Sequence, residues 1–233
     1  MGLVKSYAGG SNCVLKDWNF SSATPTSLVD KSGAGNDGVF TDITAGQLAS
    51  GLWKYAFNGT TSKIVCADST TLNVGTGDFS LLAWVKLADD VAFQVIMYKG
   101  SSGAGGKRYD IHKDDNTGYL AAEVDDDTVT TVWGGATKIS DATYHFVGAT
   151  FDRDGNGQLY VDGVADGNAT SLANTTNTLD DVGKDLHIGM NGHYDSIHPA
   201  SGDIAAPRIF KGVVLSEAQM LVMFNYERNL IGV

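Results

Sequence analysis

Apolar and polar residues alternate along much of the chain, which is the pattern of half-buried β-strands. Leu120, Ala122 and Val124 share one face of such a strand, whereas Phe79–Leu87 is apolar on both faces, as expected of a strand with both faces covered. Clusters of Gly, Asn and Asp separate these segments, and no regular alternation of strands with helices appears. The pattern therefore predicts an all-β protein, an antiparallel β-sandwich.

The clearest hairpin joins Tyr144–Phe151 to Gln158–Val161 through the turn-rich segment Asp152–Gly157. That segment also has the D-x-D-x-N-G order that begins an EF-hand calcium loop. An EF-hand needs a Glu at position twelve and a helix on each side, but position twelve is Gly163 and strands flank the turn. We expect an ordinary hairpin turn.

One helix is predicted near the C-terminus. Ser216–Gln219 has the capping-box pattern, and Met220, Leu221 and Phe224 follow as an apolar stripe. The helix should pack on the sandwich. The apolar tail Asn229–Val233 would need cover from the sandwich or from a neighbour, and it is our first candidate for a partner contact.

The chain shows no domain boundary. Gly167–Thr178 is polar and rich in Asn and Thr, but it has no Pro and no charge run, so we expect a long surface loop instead of a linker. The 233 residues, with 42% hydrophobic content, suffice for one substantial core. We predict a single domain over residues 1–233.

Charge excludes several classes of partner. Sixteen basic residues against 27 acidic ones give a net charge of −11, which disfavours nucleic acid and anionic membrane surfaces. The longest apolar runs, Leu81–Val85 and Met220–Phe224, are far shorter than the ~18 residues of a membrane span. The N-terminal residues lack the apolar core of a signal peptide.

Several segments in order resemble the laminin-G/pentraxin-like branch of the concanavalin A-like lectin/glucanase superfamily. The resemblance runs from about Asn12 to Arg228 and rests on the segments Trp18–Phe20, Asp30–Gly38, Ala56–Gly59, Phe79–Val85, Tyr144–Phe151, Leu159–Gly163, Ile188–Gly189, Gly202–Ile204, Arg208–Phe210 and Leu215–Ser216. It implies a two-sheet antiparallel jelly roll with one short C-terminal helix.

The same superfold includes laminarinase-like glucanases, whose catalytic strand has the order E-x-D-x-E. Here Glu123–Asp127 ends in Asp instead of Glu. Residues four apart in a regular strand lie about 13 Å apart, beyond the roughly 5 to 9.5 Å between the carboxylates of glycoside hydrolases. We therefore predict a solvated turn at Asp125–Thr128 and a protein that is not an enzyme.

Other catalytic patterns are also missing from the sequence. Cys13 and Cys66 have no neighbouring His, and whether they pair is open. No G-x-S-x-G motif and no metal-binding spacing occurs. His112, His145 and His187 fall on predicted strands, where we expect hydrogen-bonded structural roles.

A binding loop is predicted at Met190–Pro199. Its candidate ligand-binding residues combine an aromatic ring, two imidazoles, an amide and a carboxylate, the mixture that stacks on and hydrogen-bonds to a sugar: Asn191, His193, Tyr194, Asp195 and His198. Resemblance to pentraxins implies Asn191 and Asp195 as calcium ligands. The partner loop Lys99–Lys107 has no Asp, Asn or Glu, so we predict no metal site of that type and no cofactor.

These observations predict a binding or structural module. We expect a viral or phage virion protein, made in the host cytoplasm, that decorates the capsid or adheres to the host surface. Its partners would be other virion subunits or a cell-surface glycan, in a homo-oligomer or a lattice. A carbohydrate-binding lectin, calcium-dependent or not, is the alternative, cytoplasmic or extracellular, and a glucanase-like hydrolase is the third.

Overall fold

The computed structural model describes residues 23–88, 92–192 and 198–233, together with the backbone of residues 13–16. The predicted first-strand segment 18–20 lies outside the described residues. The elements, in chain order, are β1 (Cys13–Lys16), β2 (Ser27–Leu28), β3 (Gly38–Thr41), β4 (Thr44–Gln47), β5 (Trp53–Asn58), β6 (Lys63–Cys66), β7 (Phe79–Leu87), β8 (Gln94–Gly100), β9 (Lys107–Lys113), β10 (Tyr119–Asp126), β11 (Thr130–Lys138), β12 (His145–Phe151), β13 (Asn156–Val161), β14 (Val164–Ser171), β15 (Leu186–Ile188), β16 (Ser201–Lys211) and α1 (Glu217–Ile231).

The strands form two antiparallel sheets of eight strands each. Sheet A has the order β14-β13-β12-β7-β16-β5-β4, with β1 pairing with β16 beyond the end of β5. Sheet B has the order β11-β10-β9-β8-β15-β6-β3-β2. The predicted all-β, two-sheet antiparallel sandwich is confirmed. So is the hairpin of β12 and β13, which turns at residues 152–155.

The main core lies between the two sheets. Leu120, Ala122 and Val124 of β10 all point into it, as their alternation predicts. Phe79 of β7 stacks on Phe151 of β12, with ring centroids 4.1 Å apart. Burial of these apolar faces is the principal force that holds the two sheets together.

Helix α1 packs on the outer face of sheet A, the face turned away from sheet B. Ser216 caps it through a complete capping box with Gln219, as predicted. Met220, Met223 and Ile231 pack with Trp84 in a second core cluster under the helix. Because α1 covers this face, β7 is buried on both sides, which explains its continuous apolar sequence.

A buried polar cluster joins α1 to the sheet. Trp84 is fully buried, and its indole Nε1 donates a hydrogen bond to Glu227 Oε2 at 2.8 Å. Arg208 of β16 donates to both carboxylate oxygens of Glu227, at 2.6 and 2.8 Å. Trp84 is therefore buried between sheet A and the helix and not between the two sheets.

The apolar tail is covered in part by the protein itself, since residues 229–231 continue α1 and Ile231 packs in the second core cluster. Val233 is exposed, and its contact with a partner stays a prediction. The expected loop over residues 167–178 begins later than predicted. Residues 167–171 are not a loop, since they extend β14, which pairs with β13. β14 is an exposed edge strand, so it lacks the apolar alternation by which a strand is predicted.

Cys66 is a free, fully buried thiol on β6. Burial raises its pKa to about 12, which keeps the sulfur protonated and unreactive at neutral pH. In the described chain no helix is both long and apolar enough to cross a membrane.

Candidate functional site

The outer face of sheet B is the open face of the sandwich, because α1, the helix in the described chain, covers sheet A. Strand β9 shows how the sequence builds this face. Tyr109 and Ile111 point into the core, so the alternating residues Arg108, Asp110 and His112 point outward. A row of polar side chains thus lies on a surface fixed by three neighbouring strands, β8, β9 and β10.

A cleft of about 220 Å³ lies on this face. Its lining residues come from β8, β9 and β10, from the loops at their ends and from the segment between β15 and β16: Phe93, Val95, Tyr98, Ser102, Arg108, Asp110, Glu123, Asn191 and His198. A second, more polar hollow of about 380 Å³ adjoins it and shares Arg108.

Strand register sets the floor of the cleft. Glu123 of β10 lies directly opposite Asp110 of β9, and Asp110 lies opposite Tyr98 of β8. Arg108 reaches across to β10 and forms ion pairs with Glu123 and, at 2.6 Å, with Asp125. The carboxylates of Glu123 and Asp110 thus face one cleft from adjacent strands.

The two carboxylates differ in their surroundings. Asp110 accepts a hydrogen bond from His112 Nδ1 at 2.6 Å, and both residues are buried. Burial, followed by the nearby charge of Asp110, raises the pKa of Glu123 despite the opposing effect of Arg108. The charge of Glu123 is therefore incompletely compensated.

Two buried polar atoms in the cleft have no hydrogen-bond partner among the described residues: Tyr98 Oη and His198 Nδ1. Burial, reinforced by Asp110, raises the pKa of Tyr98, so its hydroxyl keeps its proton. Ser102 lies nearby and partly offsets this rise in the pKa. Buried polar groups in proteins are nearly always paired, so these two atoms point to a ligand.

Aromatic rings form one wall of the cleft. Phe93 is half-buried, and its ring centroid lies 4.1 Å from that of His112 and 4.4 Å from that of His198. His198 has a left-handed backbone with φ of 58°, and its carbonyl accepts a hydrogen bond from Val95. Such strain in a non-glycine residue is concentrated at functional sites in proteins.

The chain reaches this wall from β15 through a tight turn at Gly189. Its φ is +79°, and an added Cβ would lie only 2.1 Å from the ring of Phe57. Only glycine fits there. This turn brings Asn191 to the cleft from the end of β15.

Residues 58–220, about seven tenths of the chain, match a laminin-G family model of the concanavalin A-like lectin/glucanase superfamily. The chain belongs to this superfamily. The resemblance found in the sequence motifs is thereby confirmed. Among curated proteins, none matches the chain in sequence.

Solved structures confirm the concanavalin A-like sandwich. The binding domain of Paraclostridial Mosquitocidal Protein 1 is similar with a TM-score of 0.75 and 15% identity, over 95% of this chain and 54% of that one. The receptor-binding domain of botulinum neurotoxin D is similar with a TM-score of 0.71 and 15% identity, over 94% of this chain and 54% of that one. A structure of botulinum neurotoxin type C is similar with a TM-score of 0.68 and 16% identity, over 93% of this chain and 52% of that one. Its description records that cell entry of this toxin depends on interaction with two ganglioside molecules. The chain thus spans about half the length of these neighbours.

The predicted binding loop, Met190–Pro199, contributes Asn191 and His198 to the cleft. The other three candidates, His193, Tyr194 and Asp195, lie outside the described residues and stay predictions. Sequence reasoning did not assign a binding role to Tyr98, Arg108, Asp110 or Glu123. The alternation of polar residues along β9 was the available signal.

The acidic segment after β10 corrects another prediction. Of the predicted solvated turn Asp125–Thr128, Asp127 and Thr128 are exposed in a bend, but Asp125 and Asp126 are buried on β10. The Asp126 carboxylate accepts hydrogen bonds from the backbone of Val129 and Asn177 and from Thr128. In the part of the chain that is described, no group of three or more His, Cys, Asp or Glu residues is arranged to hold a metal ion.

The predicted structural histidines can be placed. His112 and His145 each hydrogen-bond to an aspartate, His145 Nδ1 to Asp162 at 2.9 Å. His187 is buried on β15, on the same outer face as Tyr98. His145 therefore matches the structural role expected of it, whereas His112 also supports the floor of the cleft.

The cleft combines the groups that bind sugars in proteins. Planar polar side chains, here Asn191, Asp110 and Glu123, offer paired acceptors or donors to neighbouring hydroxyls. The Phe93 ring, packed between the imidazoles of His112 and His198, adds apolar surface to the wall that a sugar would contact. Arg108 fixes the carboxylate of Glu123 through ion pairs with Glu123 and Asp125, and His112 fixes that of Asp110.

Proposed function

We propose that this chain is a carbohydrate-binding module whose ligand lies in the cleft on the outer face of sheet B. The observation that carries this proposal is the pair of unpartnered buried atoms, Tyr98 Oη and His198 Nδ1, beside the Phe93 ring. A sugar hydroxyl can accept from the former and donate to the latter. The neighbours described above support a binding role, since their names record receptor or ganglioside binding.

Binding is favoured over hydrolysis by the pairing of the acidic groups. Glu123 and Asp125 are both engaged by Arg108. A glycoside hydrolase needs one carboxylic acid that releases its proton to the glycosidic oxygen. The ion pair with Arg108 opposes that role, because it holds the Glu123 carboxylate and lowers its pKa in part, although burial and Asp110 leave that pKa raised.

A glycan array tests the proposal. The wild-type protein should bind a defined set of glycans, and Phe93→Ala should weaken that binding about three- to tenfold, because it removes apolar surface from the cleft wall and the ring that packs against His198. Leu221→Ala, on the exposed side of α1, is the matched control and should bind normally. Absence of glycan binding by the wild type, or equal loss in both variants, would refute the proposal.

We further propose the setting predicted from the sequence, a virion surface on which the module decorates the capsid or adheres to the host, as a homo-oligomer or bound to other subunits. The acidic charge and the adhesion-type sandwich support this setting. Immunogold labelling of purified particles should place the protein on their surface. Unlabelled particles, with the protein recovered only from the soluble lysate, would exclude it.

A further inference from the structure

The cleft on sheet B carries a negative charge. Asp110 and Glu123 line it, and Asp125 stands behind Arg108. Three carboxylates thus accompany a single guanidinium. Since the whole chain has a net charge of −11, the surrounding protein adds to this potential.

The guanidinium does not neutralise the whole cluster. Arg108 spans Glu123 and Asp125, while Asp110 has the imidazole of His112 as its side-chain partner. The raised pKa of Glu123 reflects burial and then the repulsion from Asp110. A cation placed between Glu123 and Asp110 would relieve this repulsion.

A second, independent feature points to the same place. Tyr98 is 2% exposed and lies directly opposite Asp110, and its hydroxyl has no partner among the described residues. An ammonium group has three donors, enough for the two carboxylates and for the phenol oxygen. The half-buried Phe93 ring, packed between His112 and His198, adds apolar surface to the same cleft.

We propose that the cleft selects its glycan by charge, and that it takes amino sugars with a free ammonium group ahead of their N-acetylated forms and ahead of acidic sugars. This inference rests on the proposed glycan-binding function and names the sugar class. The ammonium lies between Asp110 and Glu123 and donates to the Tyr98 hydroxyl oxygen. A carboxylated sugar would bring a fourth anion to the same floor and is repelled.

The experiment compares two probes that differ only in this group, chitotetraose with free amines and its N-acetylated form, by calorimetric titration at low ionic strength. We expect the free-amine form to bind about tenfold more tightly, and added salt to reduce this preference. Asp110→Asn and Glu123→Gln should each reduce the preference, with the fold checked by circular dichroism. Two variants are used so that a folding defect in one does not remove the test.

The outcomes separate the two proposals. Equal binding of both probes, or a preference for the N-acetylated form, overturns selection by charge while the glycan-binding proposal stands. Tight binding of sialylated glycans on the array that is lost in Phe93→Ala would also overturn selection by charge and leave the glycan-binding proposal standing. If no glycan binds at all, both proposals fall.

Discussion

Replacing Glu227 by glutamine should destabilise the protein severely, because it leaves a buried cation without its counter-charge. The carboxylate and the Arg208 guanidinium are 4% and 3% exposed. The amide oxygen of glutamine can still accept from Trp84 and from one Arg208 nitrogen. Its NH₂ group must then face the second Arg208 nitrogen, which is also a donor. One charge-assisted hydrogen bond is lost and two donors oppose each other.

The magnitude follows from these contacts. A hydrogen bond to a charged group contributes about 1.5–3 kcal/mol, and breaking a buried ion pair from one side costs about 3–5 kcal/mol. We expect Glu227→Gln to lower the free energy of unfolding by about 3 kcal/mol, measured by urea denaturation with circular dichroism. Glu217→Gln in the exposed first turn of the same helix is the matched control and should cost less than about 1 kcal/mol.

The double variant tests the mechanism. Adding Arg208→Met to Glu227→Gln removes the unpaired cation, while the glutamine oxygen still accepts from Trp84. The double variant should therefore be more stable than Glu227→Gln alone. A loss in Glu227→Gln no larger than in Glu217→Gln, or strictly additive losses in the double variant, would refute the reasoning.

Three further predictions concern acid stability, thiol reactivity and calcium. Burial acts to raise the pKa of Asp126, but hydrogen bonds from Thr128, Asn177 and Val129 outweigh it and lower the pKa to about 2. The ionised form of Asp126 thus stabilises the fold above about pH 4, and this stabilisation is lost as pH falls towards 2. Asp126→Asn should lower the free energy of unfolding by about 2 kcal/mol at neutral pH and weaken its dependence on pH below 4, measured by urea denaturation. An unchanged pH dependence contradicts this. Cys66, with a pKa of about 12, should resist iodoacetamide at pH 8 until the protein unfolds, and peptide mass spectrometry showing rapid native labelling would contradict its burial. Calorimetry should detect no tight calcium binding, and micromolar affinity abolished by Asp195→Ala would overturn this.

Local patterns predict local elements of this protein well. The capping box at Ser216 predicts where α1 begins, because the motif satisfies the end amides by itself. The alternation of Leu120, Ala122 and Val124 predicts their burial, because a strand on the sandwich has one inner face. Edge strand β14 is missed because both its faces are largely exposed and polar.

The site is only partly predictable for a different reason. Tyr98, Asp110 and Glu123 lie on three separate strands, and only the register of β8, β9 and β10 places them in one row. Asp126 resembles a turn residue in sequence, yet a hydrogen bond from Asn177, 51 positions away, helps to bury it. Such contacts depend on tertiary structure and leave no local pattern.

The central claim is that a glycan binds on the open face of sheet B. The most direct test is chemical-shift mapping of the ¹⁵N-labelled protein during titration with a glycan bound on the array. The account predicts that the largest shifts cluster on Tyr98, Asp110, Glu123 and His198, with little change on α1. Shifts concentrated on α1 or on sheet A, with the cleft residues unmoved, would contradict it.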